Sequence, residues 1–276
     1  GGIKPGIYGW ALKNIMSHHD LSKEWPREDL EKLYDRAGKW AMWFMECRDD
    51  DKDGLPGFDN GAGTGFDEIT AYFDGVPMAT PDLCAFEVLN FEAQGDLAGL
   101  LGKPREEIDG WYKKSRDLLD KMLEKMWDGE RFVCLTQYTH EPVFSDSILF
   151  YIPLILGSRL PAEVLDKLCA GLMRENRILS PYGIASEDVL SDVFEMTGVK
   201  MGCGAISPPG QLFILTGLWA GGKKEEARII IDRYLGTLME KGFPHFIDPV
   251  NGDVDFMGGS WCRTVFTILA RMVSEG

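Results

Sequence analysis

The chain has 276 residues, of which 45% are apolar and 26% are charged, and it carries a net charge of −15 with a pI of about 4.7. This length and composition predict one large globular domain or two modest ones. The acidic balance, with no basic stripe, excludes nucleic acid and anionic membrane surfaces as partners, whereas a neutral or cationic ligand stays compatible.

The six cysteines are scattered and form no C-x-x-C pair, which argues against a zinc ribbon or a redox motif. Most of them have apolar neighbours and are predicted to be reduced core residues. The sequence shows no signal peptide and no run of eighteen apolar residues, so a cytoplasmic location is the default expectation. The start lacks Met and enters a helix almost at once, as in a piece of a longer chain.

Two kinds of helix alternate along the chain. Segments 27–47, 104–127, 161–174 and 222–240 place apolar residues on one stripe at 3.6-residue spacing, which predicts amphipathic helices. Between them lie segments that are apolar nearly all round and are therefore predicted to be buried on every side, namely "DLCAFEVLNFEAQ", "SDSILFYIPLILG", "GQLFILTGLWA" and "SWCRTVFTILARMV".

The connections between these helices also alternate in length. Short links join each buried helix to the next amphipathic one, and long links (48–79, 128–144, 175–208 and 242–259) lead back. Inner helices around an axis, outer helices against them and all long loops on one face explain this pattern. The prediction is an all-α (α/α)6 toroid in a single domain, 1–276, with a short hairpin near 129–135. About nine helices are found where a closed toroid needs twelve, so roughly three are expected on the N-terminal side.

The first long loop opens with aspartates at alternate positions, in "RDDDKDGLPGF". Asp49, Asp51 and Asp53 before Gly54 match the start of a calcium loop, and Leu55 is placed to offer its carbonyl. The twelfth position is not Glu, so an EF-hand is excluded. A structural calcium ion and a solvated acidic turn remain equal alternatives.

Two further aspartates lie in the same region. Asp67 follows Phe66 in the glycine-rich stretch "GTGFDEITAYF", where apolar neighbours favour a protonated general acid, with a helix cap as the alternative. Asp82 occupies an N-cap position, the role we favour for it, and is also a candidate for sugar contact. Glu87 and Asn90 interrupt a buried helix and are expected to line the axis.

The later loops supply the remaining candidates. Glu187 lies in the less polar part of "PYGIASEDVLSDVFE" and is a candidate pocket carboxylate. His245 lies between apolar and aromatic neighbours in "GFPHFIDPVNG", where a structural role is the alternative. Phe243 and Trp261 are candidates for a sugar-stacking platform, or for core packing.

Taken in order, these segments resemble the clan of α/α-toroid glycosidases that contains trehalases and glycoside hydrolase family 63. "KPGIYGWAL" is similar to the family's P-P-x-x-x-W-A, and "RDDDKDGLPGF" to its R-D-x-D-x-D-G-L-P-E-Y turn. "GTGFDEITAYF" resembles E-S-G-W-D-N-S-x-x-F, "MATPDLCAF" resembles V-E-S-P-D-L-A-A-F, and "GFPHFIDPVNG" resembles G-F-x-E-Y-F-D-P-x-T-G. The second and third matches are the specific ones.

The resemblance implies an inverting hydrolase of α-linked glucosides or mannosides that acts on an oligosaccharide or a small glycoside. It implies that Asp67 is the general acid and that calcium is held by Asp49, Asp51, Asp53 and the Leu55 carbonyl. His245 stands where the family has its general-base Glu, and Ala79 where it has a Glu beside calcium. The base is then His245 or Glu187. The alternative is a degenerate toroid that binds carbohydrate and has lost its base.

Overall fold

The computed structural model describes residues 3–73, 77–195, 202–255 and 258–276. Over these ranges the chain is mainly helical. Its α-helices are α1 (Tyr8–His18), α2 (Leu21–Glu24), α3 (Arg27–Cys47), α4 (Pro81–Leu100), α5 (Arg105–Met126), α6 (Ala162–Leu172), α7 (Pro208–Ala220), α8 (Lys224–Lys241) and α9 (Ser260–Glu275).

The predicted alternation of buried and amphipathic helices is present. Helix α4 is buried over most of its surface and packs against α1, α3 and α5, while α7 packs against α8, α9 and the segment Ile152–Arg159. The outer helices α3, α5 and α6 bury one stripe each. Both α4 and α7 begin with Pro at the first or second position, which suits a helix start because its first N–H groups have no partner in the helix.

Glycine residues allow close backbone approach at two separate contacts, one between α7 and the segment Ile152–Arg159 and one between α1 and α4. A Cβ at Gly217 on α7 would lie 2.0 Å from the backbone oxygen of Leu154, and a Cβ at Gly9 on α1 would lie 2.5 Å from the Asn90 backbone of α4. Asn90 accepts a hydrogen bond from the Gly9 N–H at 2.8 Å and donates one to Glu87 at 3.1 Å. Glu87 and Asn90 are fully buried at this helix contact, so they join α1 to α4 and do not line an open axis.

The second buried segment, 145–157, was expected to be an α-helix and instead forms two 3₁₀-helices, Ile148–Phe150 and Ile152–Arg159. Pro153 removes one backbone donor, and Gly157 has φ 56° and ψ −127°, so no continuous α-helix forms through the segment. The apolar residues are buried as expected, from Ile148 to Gly157, apart from the half-buried Tyr151.

Helix α9 also differs from the prediction. Its buried residues are Cys262, Val265 and Leu269, which lie on one stripe toward α7 and α8, and the rest of the helix is half-buried or exposed. The sequence pattern suggested burial all round because Trp261, Phe266 and Ile268 are apolar. Trp261 is in fact 47% exposed.

A small antiparallel sheet connects two of the long loops. Its strands, in spatial order, are β1 (Gly57–Phe58), β2 (Met78–Ala79), β3 (Cys134–Thr136) and β4 (Pro142–Val143). The hairpin predicted near 129–135 is present as a single antiparallel bridge between Trp127 and Phe132, and a longer hairpin pairs 134–136 with 142–143. A second sheet pairs β5 (Leu179–Ser180) with β6 (Gly183–Ile184). Within the described ranges, no helix combines the length and the apolar character needed to cross a membrane.

Candidate active site

A cavity of about 330 Å³ opens where the N-terminal ends of the inner helices meet. This volume falls within the range of about 300–1,000 Å³ that is usual for small-molecule sites. Its wall is mainly apolar and aromatic, with few polar side chains. The lining residues include Lys4, Ile7, Phe66, Asp67, Phe86, Pro208, Phe213, His245, Phe246 and Trp261. Four of the predicted site residues, Phe66, Asp67, His245 and Trp261, are therefore brought together.

Asp67 reaches this cavity from the first long loop with its side chain 61% exposed. Its Oδ1 accepts a hydrogen bond from Lys4 Nζ at 2.5 Å, and the same ammonium group donates to the Ala62 carbonyl at 2.6 Å. The structure thus places a cation beside the predicted general acid, where the sequence suggested only apolar neighbours.

The backbone around Asp67 is fixed in an uncommon conformation. Glu68, which is not glycine, has φ 63°, and Gly65 has φ 88°. Residues held at positive φ cost free energy and persist where neighbouring structure enforces them. Cys203 donates from its thiol to the Glu68 carbonyl at 3.0 Å. Gly202 packs so closely that a Cβ there would lie 2.5 Å from the Ile69 backbone and 2.7 Å from the Asp67 carbonyl.

His245 reaches the cavity from the last long loop. Its backbone N–H and that of Phe246 both donate to Asp255 Oδ1, at 3.0 and 2.9 Å, which fixes this turn of the loop. The His245 ring contacts the Phe246 ring edge-on, with centroids 4.3 Å apart. Trp261, at the start of α9, offers a half-exposed indole ring to the same cavity, while Phe66 is buried in its wall.

Two predicted sugar-contact residues do not line the cavity. Phe243 packs edge-on against Phe266 at 5.4 Å and carries Arg263 over its ring at 5.9 Å. Asp82 is fully buried in the first turn of α4, and its oxygens accept no hydrogen bond of normal geometry from the described residues. Burial raises the pKa of Asp82 to about 6, and the nearby Thr80 hydroxyl and Leu83 N–H act in the opposite direction.

Glu187 is also absent from the cavity wall. It is fully buried behind the Asp67 loop, where the Thr70 hydroxyl donates to its Oε2 and Oε1 has no hydrogen-bond partner among the described residues. Its backbone forms a bridge with Ser147. Burial raises the pKa of Glu187 to about 7, and the hydrogen bond from Thr70 is the largest opposing effect. Glu187 thus supports the loop through Thr70.

The acidic turn at 49–55 lies beside the β3–β4 hairpin. Asp49, Asp51 and Asp53 accept backbone hydrogen bonds from Gly54, Asp53 and Leu55 respectively, a pattern that folds the loop onto its own carboxylates. Ligand atoms of Asp51, Asp53 and His140 lie within 4.8 Å of one another. Asp49 is 5% exposed, and its Oδ1 has no hydrogen-bond partner among the described residues.

This arrangement fits a divalent cation and adds one residue to the predicted ligand set. His140 brings a nitrogen beside the carboxylates of Asp51 and Asp53, and the Leu55 N–H bond to Asp53 leaves the Leu55 carbonyl uninvolved. Calcium takes oxygen ligands, and imidazole is favoured by transition metals. His140 has φ 56°, and nothing in its sequence neighbourhood, "TQYTHEP", indicated that it would meet a loop almost ninety residues earlier.

Sequence reasoning missed Lys4 and the pair Gly202–Cys203. Lys4 belongs to the quoted segment "KPGIYGWAL", but its ion pair with Asp67 spans 63 residues and no local pattern predicts such a contact. Gly202 and Cys203 lie in "KMGCGAIS", where a glycine next to a polar loop was the available signal of close backbone approach.

The family model for the mannosylglycerate hydrolase MGH1-like glycoside hydrolase domain matches residues 1–265. The chain belongs to this family. It is therefore a glycoside hydrolase domain, as the resemblance of its segments suggested. No protein in the curated comparison set matches the chain significantly.

The solved structures that resemble the chain establish the toroid. The glycoside hydrolase family 63 mannosylglycerate hydrolase from Thermus thermophilus in complex with glucose has a TM-score of 0.81 at 16% identity, and the match covers 96% of this chain and 76% of that one. The same enzyme with Tris and D-glycerate gives 0.79 at 16%, covering 96% and 77%. Neutral trehalase Nth1 from Saccharomyces cerevisiae gives 0.62 at 14%, covering 77% and 41%. The α/α-toroid prediction is confirmed.

Proposed function

We propose that this glycoside hydrolase cleaves an α-linked glucoside or mannoside with inversion, and that Asp67 is its general acid. The observation that supports the proposal most directly is the shared cavity, which Asp67 and His245 enter from two different long loops. An acid and a proton acceptor on one ring-sized cavity are the groups that inverting hydrolysis requires.

In the proposed reaction, the protonated Asp67 carboxyl gives its proton to the leaving glycosidic oxygen. A water molecule attacks the anomeric carbon from the opposite face, and the neutral His245 imidazole accepts the proton that this water loses. Inverting sites keep acid and base about 6.5–9.5 Å apart so that the water fits between. The Trp261 ring provides an apolar face against which a sugar ring stacks.

Lys4 bears on the choice of substrate. While its ammonium group pairs with Asp67 Oδ1, that oxygen is occupied and cannot contact the leaving glycosidic oxygen. An anionic aglycone, such as the glycerate named with the Thermus neighbour, offers Lys4 a second carboxylate and lets it leave Asp67. We therefore favour a glycoside of a small hydroxy acid over a neutral oligosaccharide.

The test is Asp67→Asn in an assay of α-glucosides, α-mannosides and mannosylglycerate. General acid catalysis contributes about 10²–10⁴-fold, so we expect a loss of that size in kcat. Glu68→Gln is the matched control, because Glu68 is an exposed acid next in sequence whose side chain does not line the cavity. Proton NMR of the first product identifies the anomer. Turnover unchanged by Asp67→Asn would sink the proposal.

A second candidate function is carbohydrate binding without hydrolysis. The Lys4–Asp67 ion pair and the imidazole at the expected position of the base both favour it. Titration calorimetry with a panel of sugars and sugar acids, run beside the hydrolysis assay, separates the two functions. Saturable binding without product formation at high enzyme concentration supports the binding module.

We also propose that the turn at 49–55 holds a structural calcium ion through Asp51, Asp53, the unbonded oxygen of Asp49 and the Leu55 carbonyl. The support is the buried oxygen without a partner among the described residues, together with the convergence of ligand atoms. The ion would fix the loop that leads to β1 and, farther along, to Asp67. Because His140 adds a nitrogen, the competing metals to test are zinc and manganese.

A further inference from the structure

A second cavity, of about 390 Å³, lies beside α6 and apart from the residues that line the Asp67 cavity. Its charged lining contains four cations against three anions, although the chain as a whole carries a net charge of −15. These side chains are Arg131, Lys167, Arg174, Arg177, Glu130, Asp146 and Asp188. The cavity is thus locally cationic on an acidic protein, which favours an anionic ligand.

Three of the four cations have partners. Lys167 pairs with Glu130 at 2.9 Å, Arg131 with Asp146 at 3.5 Å, and Arg177 with Asp188 at 2.5 Å. The Arg177 bond uses only its Nε, and a guanidinium has five N–H donors. Its two terminal nitrogens make no hydrogen bond to any residue that the structure describes.

Arg174 is the fourth cation, and it forms no ion pair with the described residues. It follows the end of α6 and lies three residues before Arg177. It lines the cavity together with Tyr151. Burial raises the pKa of Tyr151, which keeps the hydroxyl protonated and able to donate.

The Tyr151 hydroxyl accepts and donates no hydrogen bond within the described ranges, and Tyr151 also lines the cavity. Arg174, Arg177 and Tyr151, each with an unused donor, therefore line one cavity. Guanidinium groups match carboxylate and phosphate oxygens in geometry and charge. The acceptors on the same wall, among them the carboxylates of Asp146 and Glu130, suit the hydroxyl groups of a polyol.

We propose that this cavity binds a small hydroxylated oxyanion, a sugar acid or a sugar phosphate, through Arg174, Arg177 and Tyr151. Arg174 supplies the uncompensated charge, and the terminal nitrogens of Arg177 and the Tyr151 hydroxyl complete the contacts to the oxyanion. The Asp67 cavity takes no part in this binding.

The test is calorimetric titration of the whole chain with gluconate and with glucose 6-phosphate, and with glucose as the neutral comparison. We expect saturable binding of at least one anion at one site, and the anion that binds identifies the oxyanion as carboxylate or phosphate. Arg174→Gln should weaken that binding tenfold or more, the effect of losing a charged hydrogen bond. Tyr151→Phe should weaken it severalfold. Arg116→Gln, an exposed arginine on α5 without a described ion pair, should leave it unchanged.

Two outcomes overturn the proposal. One is the absence of saturable binding by either anion. The other is anion binding that Arg174→Gln leaves intact. If Arg174→Gln lowers the melting temperature without weakening anion binding, Arg174 only stabilises the end of α6, and the proposal is likewise overturned. Lys4→Met provides the check on location, since loss of anion binding in Lys4→Met but not in Arg174→Gln assigns the ligand to the Asp67 cavity. The failure of Asp67→Asn to affect hydrolysis has no bearing on these results.

Discussion

The burial of Glu187 leads to a quantitative prediction of how the free energy of unfolding depends on pH. Burial raises its pKa to about 7 from an ordinary value of 4.5, so the folded chain holds this proton more tightly than the unfolded chain does. Between pH 4.5 and pH 7 the unfolded state has already released the proton while the folded state still binds it. The free energy of unfolding therefore falls as the pH rises through this window, and it is constant above the window.

The difference between pKa values of about 7 and 4.5 corresponds to about 3 kcal/mol, at about 1.36 kcal/mol per pH unit. The Glu187→Gln side chain keeps an oxygen that can accept the hydrogen bond from the Thr70 hydroxyl, and this side chain cannot ionise. We expect the stability of Glu187→Gln relative to the native chain to rise by about 3 kcal/mol between pH 4.5 and pH 8. Urea unfolding followed by tryptophan fluorescence at four pH values measures this difference.

Glu46→Gln is the control for the loss of one negative charge. Glu46 is exposed on α3 and has no ion pair with the described residues, so its relative stability should change little with pH. Asp82 contributes equally to the pH dependence of stability in the native chain and in Glu187→Gln, so its contribution cancels in the comparison. A stability difference between Glu187→Gln and the native chain that is the same at pH 4.5 and pH 8 refutes the reasoning.

Three further predictions concern the site. Gly202→Ala places a Cβ against the backbone of the Asp67 loop and should lower kcat by tenfold or more. Circular dichroism should show that the fold is retained. An unchanged kcat contradicts the role of Gly202 in positioning the Asp67 loop. Calcium at 100 times its Kd should stabilise the chain by about 2.7 kcal/mol, and Asp51→Asn should abolish the melting shift. A melting temperature insensitive to chelator removes the site. Lys4→Met should lower kcat/KM for mannosylglycerate and raise it for neutral nitrophenyl glycosides; a fall for both classes contradicts the proposed exchange of partners.

The sequence predicted the helical architecture well because periodicity reports burial directly. Prediction from the sequence was less reliable where a buried apolar segment does not adopt the regular helix that its composition suggests. The segment 145–157 is apolar enough for an inner helix, and it is buried as one, but Pro153 and Gly157 determine its backbone conformation. Helix α9 is apolar enough for an inner helix too, and only one stripe of it meets α7 and α8.

The site was partly predictable for a different reason. Asp67 and His245 stand in loops whose local composition is unusual, so each was found by itself, and both line one cavity. Glu187 was predicted as a pocket residue by the same argument, but its side chain does not line the cavity. An apolar neighbourhood in sequence indicates burial and does not indicate the direction of a side chain. Lys4 and His140 carry no local signal at all, since their roles depend on contacts with residues 63 and 87–89 positions away.

In the proposed mechanism, the contact between Lys4 and Asp67 connects substrate binding to catalysis. As the proposed acid, Asp67 must reach the glycosidic oxygen with a carboxyl oxygen, and the ammonium group 2.5 Å away occupies its Oδ1. Both side chains are at least half exposed, so the pair contributes about 1 kcal/mol or less to stability and separates at little cost. A ligand with its own anionic group therefore has to supply only a modest free energy to draw Lys4 away and leave both oxygens of Asp67 free to contact the substrate. A neutral ligand provides no such exchange, so the same cavity would bind it with the acid still paired.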